Sequence, residues 1–219
     1  MSMITRRQGG VFAALAFAAA IFSAALPFTG AAQAATPAES YVQDNVQKGL
    51  TILNNGALSE TQKRDQFRSF LESLIDMPRI AGFTLGAAKL TASKGDLDAF
   101  TGAFRDYAEA VYESRLSQYA GQSLKVTGST QRAENDFIVN TAVVDAKAKS
   151  GDQPITVSFR VSNSTGKYSV IDASVEGVWL AIEQRDQFTA FLAQHNNSIP
   201  QLIDHLKKLT DALRNPKKS

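Results

Sequence analysis

Cysteine is absent from all 219 residues, which excludes disulfides, thiolate metal sites and a cysteine nucleophile. Histidine is nearly as scarce. His195 and His205 are ten residues apart, without the i, i+4 spacing of a zinc-binding helix. No G-x-S-x-G, no Walker loop and no G-x-G-x-x-G opening a helix occurs. Nothing local thus points to a catalytic residue, a metal ligand or a cofactor, although the members of a Ser-His-Asp triad meet in space rather than in sequence. Long apolar runs are missing too: the longest, Val11 to Phe22, spans about 12 residues, short of the roughly 20 that cross a bilayer.

That short run has the make-up of an export leader. Arg6 and Arg7 precede it, Pro27 and Gly30 break it, and Ala32-Gln33-Ala34 offers the small-x-small pattern of signal-peptidase cleavage. We expect residues 1–34 to be removed and 35–219 to form one domain that works beyond the cytoplasmic membrane. Thr5-Arg6-Arg7 also touches on the twin-arginine route, although Gly9 and Gly10 stand where that signal wants apolar residues. The whole chain has 23 Lys plus Arg against 21 Asp plus Glu. The leader holds two of the cations and no anion, so the remainder is neutral, 21 against 21. A neutral domain is a poor partner for nucleic acid, which is bound by clustered cations that displace counterions. Without disulfides, such a domain depends on an ordinary hydrophobic core, for which its length suffices.

What is present is a clear order of elements. Thr36-Pro37-Ala38-Glu39 is a capping box with Pro at the first helical position and opens a helix to about Leu53. Ser59-Glu60-Thr61-Gln62 is a second box, followed by Phe67, Phe70, Leu71 and Leu74 on one helical face. Asp76-Met77-Pro78 reads as a break before a short helix from Arg79 to about Ala88. A long helix runs from Leu97, behind Asp96, to Tyr119, with Gly121 as its stop. From Gln122 the apolar period changes to two. Ser123–Ser129, Asp136–Lys147, Pro154–Asn163 and Lys167–Glu176 read as four strands, the last two joined by a turn at Ser164-Thr165-Gly166. Helix returns from Val178 to Gln194 and from Ser198 to Arg214. Helices, then strands, then helices, predict an α+β domain: a four-stranded antiparallel sheet with helices packed on one face.

Asp172 and Glu176 lie an even number of positions apart, on one face of the last strand. An isomerase-like enzyme would use them as an acid–base pair, with Asp172 aimed into a cone-shaped pocket at a raised pKa. The reading we favour is structural: ion pairing with Arg79, Arg160 or Arg185, or a turn bond before Gly177. Apolar side chains on the long helix and the strands serve a plain core or a pocket equally well.

Three stretches resemble the MlaC family, the periplasmic carriers of the bacterial system that maintains outer-membrane lipid asymmetry, also called toluene-tolerance proteins. Asp76-Met77-Pro78-Arg79-Ile80-Ala81-Gly82-Phe83-Thr84-Leu85-Gly86 resembles D-x-x-R-I-A-R-F-x-L-G. Tyr107 through Tyr112, with Leu116, Tyr119 and Gly121, is similar to a helix ending Y-x-x-x-L-x-x-Y-x-G. Tyr168-Ser169-Val170-Ile171-Asp172-Ala173-Ser174-Val175-Glu176-Gly177-Val178, running on to Arg185 and Phe188, resembles W-x-V-x-D-x-x-x-E-G-V-S…R-x-x-F. Gly82 replaces the second Arg of the first motif, Ala87-Ala88 its following aromatic pair, and Trp179 the Ser of the third. The Arg185-Asp186 variant is similar to a hopanoid-associated branch.

The resemblance implies a non-enzymatic, monomeric carrier with phospholipid tails in a cavity between sheet and helices. It would exchange lipid with an inner-membrane MCE-type ABC transporter complex and an outer-membrane lipoprotein complex. A hopanoid or other polycyclic lipid is the alternative cargo. On this reading Ile80, Phe83, Phe104, Ala108, Val111 and Tyr112 from the helices, and Val126, Val157, Phe159, Val161 and Val170 from the sheet, are the expected lipid-binding residues.

Overall fold

Two capping boxes set the first two helices. The Thr36 hydroxyl accepts the Glu39 N–H at 3.2 Å while the Glu39 carboxylate accepts the Thr36 N–H at 3.0 Å, opening α1, Pro37–Leu53. Ser59 and Gln62 repeat the exchange before α2, Glu60–Leu74. The computed structural model describes residues 34–116, 121–145 and 153–215. Residues 1–33 of the expected leader, the end of the long helix at Tyr119 and the strand end at Lys147 lie outside those residues.

The break expected at Asp76-Met77-Pro78 falls at Ile75-Asp76, between α2 and a short helix, and Pro78 lies inside that helix rather than before it. Pro78 falls in the first turn of α3, Met77–Thr84, where its missing N–H would have no helical partner, and Asp76 caps that turn by accepting the Arg79 N–H at 3.2 Å. α3 thus starts two residues before Arg79 and ends before Gly86, whose φ of +57° suits the left-handed region. A 3-10 helix, Gly86–Leu90, continues the path. The long helix α4, Lys94–Leu116, begins ahead of Asp96 because the Ser93 hydroxyl accepts the Asp96 N–H at 3.0 Å.

The sheet has five strands, not four, in the order β1-β2-β3-β4-β5 with every neighbour antiparallel. β1 is Ser123–Ala133, β2 Asp136–Val144, β3 Thr156–Ser162, β4 Ser169–Val175 and β5 Val178–Trp179. β1 runs past the expected Ser129 because a register shift at Gly128 lets the strand continue. The extra strand arises at Glu176-Gly177, where φ values of +50° and +82° fold a two-residue hairpin that pairs Val175 with Val178 and Ser174 with Trp179. Residues read as the first turn of a helix are therefore strand, and α5 starts later, at Leu180–Gln194. α6, Ile199–Arg214, follows a cap by Ser198.

The strand register separates two faces. Val157, Phe159 and Val161 share one with Phe137, Val139 and Val170, and α1 lays Ala38 and Val42 against it. The other carries polar pairs, among them Ser158–Asn140 at 2.8 Å and Arg160–Asp136 at 3.0 Å. The larger apolar core is helical. Phe100 and Phe104 of α4 meet the Phe188 ring of α5 edge-on at 5.9 and 6.0 Å, beside Leu202 and Leu206 of α6.

Candidate functional site

A cavity of about 1170 Å³ lies between the α1–α2 hairpin and the apolar face of the sheet. α1 lines it with Tyr41, Val42, Val46, Leu50 and Leu53, and α2 with Phe67, Phe70, Leu71 and Leu74. Tyr112 comes from α4, and Leu124, Val143, Ile155, Phe159 and Val170 come from the strands. Ordinary small-molecule pockets span ~300–1,000 Å³, so this one exceeds them. Four polar residues line it where strand ends meet it, Gln122, Ser123, Asp145 and Gln153, with Gln122 donating to Asp145 at 3.2 Å, and Asn45 adds a polar side chain from α1.

Local chemistry explains this wall. α2 is amphipathic yet has no fully buried residue, because its apolar stripe faces a cavity rather than packed side chains. Gly49 on α1 admits α2 closely: a Cβ there would stand 3.2 Å from Phe70 and 3.3 Å from Phe67 ring carbons. The Tyr112 ring meets Phe67 edge-on at 6.3 Å, and Tyr41 stacks on Tyr168 at 5.3 Å. Burial raises the pKa of both Tyr41 and Tyr112, and for Tyr112 the negative charges of Glu113 and Glu109 push the same way. Both phenols stay protonated at neutral pH.

Of the eleven residues expected to bind lipid, Tyr112, Phe159 and Val170 line the cavity. Val161 is fully buried in the sheet–α1 cluster, with Val126 packed against it. Val157 shares the Phe159 face, nearer the strand end. Phe104 belongs to the helical core and Ile80 packs against it. Ala108 and Val111 are half-buried on α4. Phe83 is 39% exposed, beneath the Arg185 guanidinium at 5.3 Å. Reading the sequence missed the α1 and α2 walls, although the Phe67–Leu74 stripe was visible in it.

Asp172 does not face the cavity. It shares the opposite sheet face with Arg160 and accepts N–H bonds from Ala173 at 2.8 Å and Ala181 at 2.9 Å. Burial raises its pKa, while those two bonds and the Arg160 charge oppose the shift. This carboxylate ends the β4–α5 connection as a cap. Glu176 likewise accepts from the Thr156 N–H and hydroxyl. The two histidines stack on Phe191, His195 at 3.8 Å and His205 at 4.6 Å. Among the described residues no group of three His, Cys, Asp or Glu side chains is placed to hold a metal.

The family model described as MlaC protein matches residues 43–208. The chain belongs to the MlaC family. The match takes in α1 from residue 43 onward, all of α2, the whole sheet and α5. A solved phospholipid-binding protein from Ralstonia solanacearum, in complex with a phospholipid, has the same fold. Its TM-score is 0.71 at 19% identity, over 82% of this chain and 100% of that one.

Proposed function

We propose that this MlaC-family chain is a non-enzymatic periplasmic carrier that holds a phospholipid with its acyl chains in the α1–α2–sheet cavity and its headgroup outside. The large apolar cavity carries this reading. Two 16-carbon chains bring about 30 methylenes, whose exposure to water costs on the order of 20 kcal/mol at ~0.8 kcal/mol each. If a methylene fills roughly the ~30 Å³ of a liquid water, the chains need about 900 Å³, within the 1170 Å³ present. The phospholipid seen with the Ralstonia solanacearum protein supports the same cargo. Lipid would pass between an inner-membrane MCE-type ABC transporter complex and an outer-membrane lipoprotein complex.

The hopanoid alternative rests on the altered positions at Ala87 and Trp179 and on the Arg185-Asp186 variant. None of these residues lines the cavity, so no wall residue favours a polycyclic cargo. Native mass spectrometry of protein purified from a bacterial host should show one bound phospholipid, identified after extraction. Leu50→Glu, which puts a charge on the α1 wall, should lose that adduct while unfolding stays cooperative. Wild-type protein that is repeatedly ligand-free would count against the carrier, and an extracted hopanoid would change the cargo.

A further inference from the structure

α2 forms one wall of the cavity with Phe67, Phe70, Leu71 and Leu74, yet buries no residue fully. Its flank meets α4 through the Phe67–Tyr112 ring contact at 6.3 Å and through a polar contact nearby. There the Glu72 carboxyl of α2 is in hydrogen-bond contact with the Glu109 carboxyl of α4. Neither glutamate lines the cavity. Glu109 is only 9% exposed, whereas Glu72 faces solvent. An ionised carboxyl only accepts hydrogen bonds, so this contact is a bond only while one of the two holds a proton. With both ionised it becomes a repulsion between like charges. The remaining charged groups around Glu109 do not supply a close counter-ion. Asp106 and Glu113 lie one turn away on its own helix. Arg68 of α2 pairs with Asp65 at 2.8 Å, and Arg214 of α6 stands 3.7 Å from Glu109 and 3.9 Å from Glu113. Burial, then the Glu72 contact and charge, raise the Glu109 pKa above its ordinary 4.5, with Arg68 opposing and Asp106 adding to the shift.

We propose that Glu72 and Glu109 form a proton-operated latch between α2 and α4: a shared proton holds α2 against the cavity, and its loss frees that wall to move and the lipid to leave. The inference rests on the carrier reading and adds regulation to it. A purely apolar wall does not respond to pH, whereas this pair ties one wall of the cavity to it. Moving α2 withdraws its apolar stripe from the tails, so the barrier to release includes the latch. The sign follows by linkage. A carboxyl whose folded pKa is raised favours the latched state at acid pH, and that contribution is lost as pH rises from 4.5 through the raised value. The protein therefore holds lipid more firmly in a mildly acidic medium than in an alkaline one.

The test loads the protein with phosphatidylethanolamine bearing a fluorescent acyl chain and follows its transfer to quencher-containing phosphatidylcholine vesicles, whose net charge does not change over the range used. Release should be about tenfold slower at about pH 5 than at about pH 8, the scale of a hydrogen bond to a charged group. Glu109→Gln keeps a donor for the Glu72 carboxylate but cannot titrate, so it should release slowly in both buffers. Glu72→Ala removes the partner from an exposed position and should release fast in both. Hydrogen exchange of the wild type needs no variant. Corrected for intrinsic rates, α2 should be better protected in the acid buffer while α6 is equal in the two. A wild-type release rate that ignores pH, equal protection of α2 in both buffers, or an undiminished pH response in Glu109→Gln overturns the latch and leaves the carrier standing. Faster release in acid reverses the sign and also overturns it. A wild type that takes up no lipid in either buffer fails the carrier reading, and the latch with it.

Discussion

Arg160 sits between two carboxylates on the sheet face turned away from the cavity, and the pKa values of those carboxylates are shifted in opposite directions. Asp136 receives the guanidinium directly, Nε to Oδ1 at 3.0 Å, and that hydrogen bond holds its pKa below the usual value. Asp172 is more deeply buried and its pKa is raised. The signs follow by linkage. The Asp136 contribution to stability is complete above its ordinary pKa of 3.8 and is lost as pH falls through the lower folded value. The Asp172 contribution runs the other way: it favours folding at acid pH and is lost as pH rises from 3.8 through its raised value. Asp136→Asn should therefore cost about 2 kcal/mol at pH 7, the scale of a charge-assisted hydrogen bond. The gap to wild type should shrink below pH 3.8. Urea unfolding at pH 7 and pH 3 measures both arms, and an equal gap at the two values would deny the pair its role.

Helix starts written into local chemistry could be read from the chain, because a cap is settled within four residues. Thr36–Glu39 and Ser59–Gln62 do in the structure what their spacing implies. β5 could not be read this way. Val178-Trp179 continues smoothly into an apolar helix, and only pairing across the Glu176-Gly177 turn makes it strand. The cavity wall shows the same limit. Phe67, Phe70, Leu71 and Leu74 are a plain amphipathic stripe, and nothing local says whether such a stripe meets side chains or a hollow. Phe104 and Ile80 are the converse, apolar helix positions that meet other helices in the core. α2 is thus an element with an apolar face and no fully buried residue, touching α4 through the Phe67–Tyr112 contact. Its amides should exchange with deuterium faster than those of α4 and α6 in the empty protein. Loading lipid should slow exchange in α2 by tenfold or more and leave α6 nearly unchanged. Equal protection of α2 with and without lipid would remove it from the binding wall.

The molecule keeps its stabilising core and its cavity in different places. Leu85, Phe100, Phe188, Leu192, Leu202 and Leu206 are buried together in the α3–α6 cluster, and none of them lines the cavity. The cavity borders the smaller sheet–α1 cluster, sharing Val42, Val46, Phe159 and Val170 with it. A carrier needs such a division, since it must remain folded both before loading and after release. Emptying the cavity removes only the stabilisation that a ligand adds to the folded state, RT ln(1 + [L]/Kd), about 4 kcal/mol at a thousandfold excess over Kd. It leaves the helical core untouched. Delipidated protein should therefore keep its far-ultraviolet dichroism and a cooperative transition, at a melting temperature several degrees lower that phospholipid restores. Phe188→Ala should behave differently. It opens a hole in the helical core, costs about 3–5 kcal/mol, and does so by the same amount with and without lipid. A cost that depends strongly on lipid would mean that core and cavity act as one body. Loss of the cooperative transition on delipidation alone would mean that the lipid is part of the fold rather than its cargo.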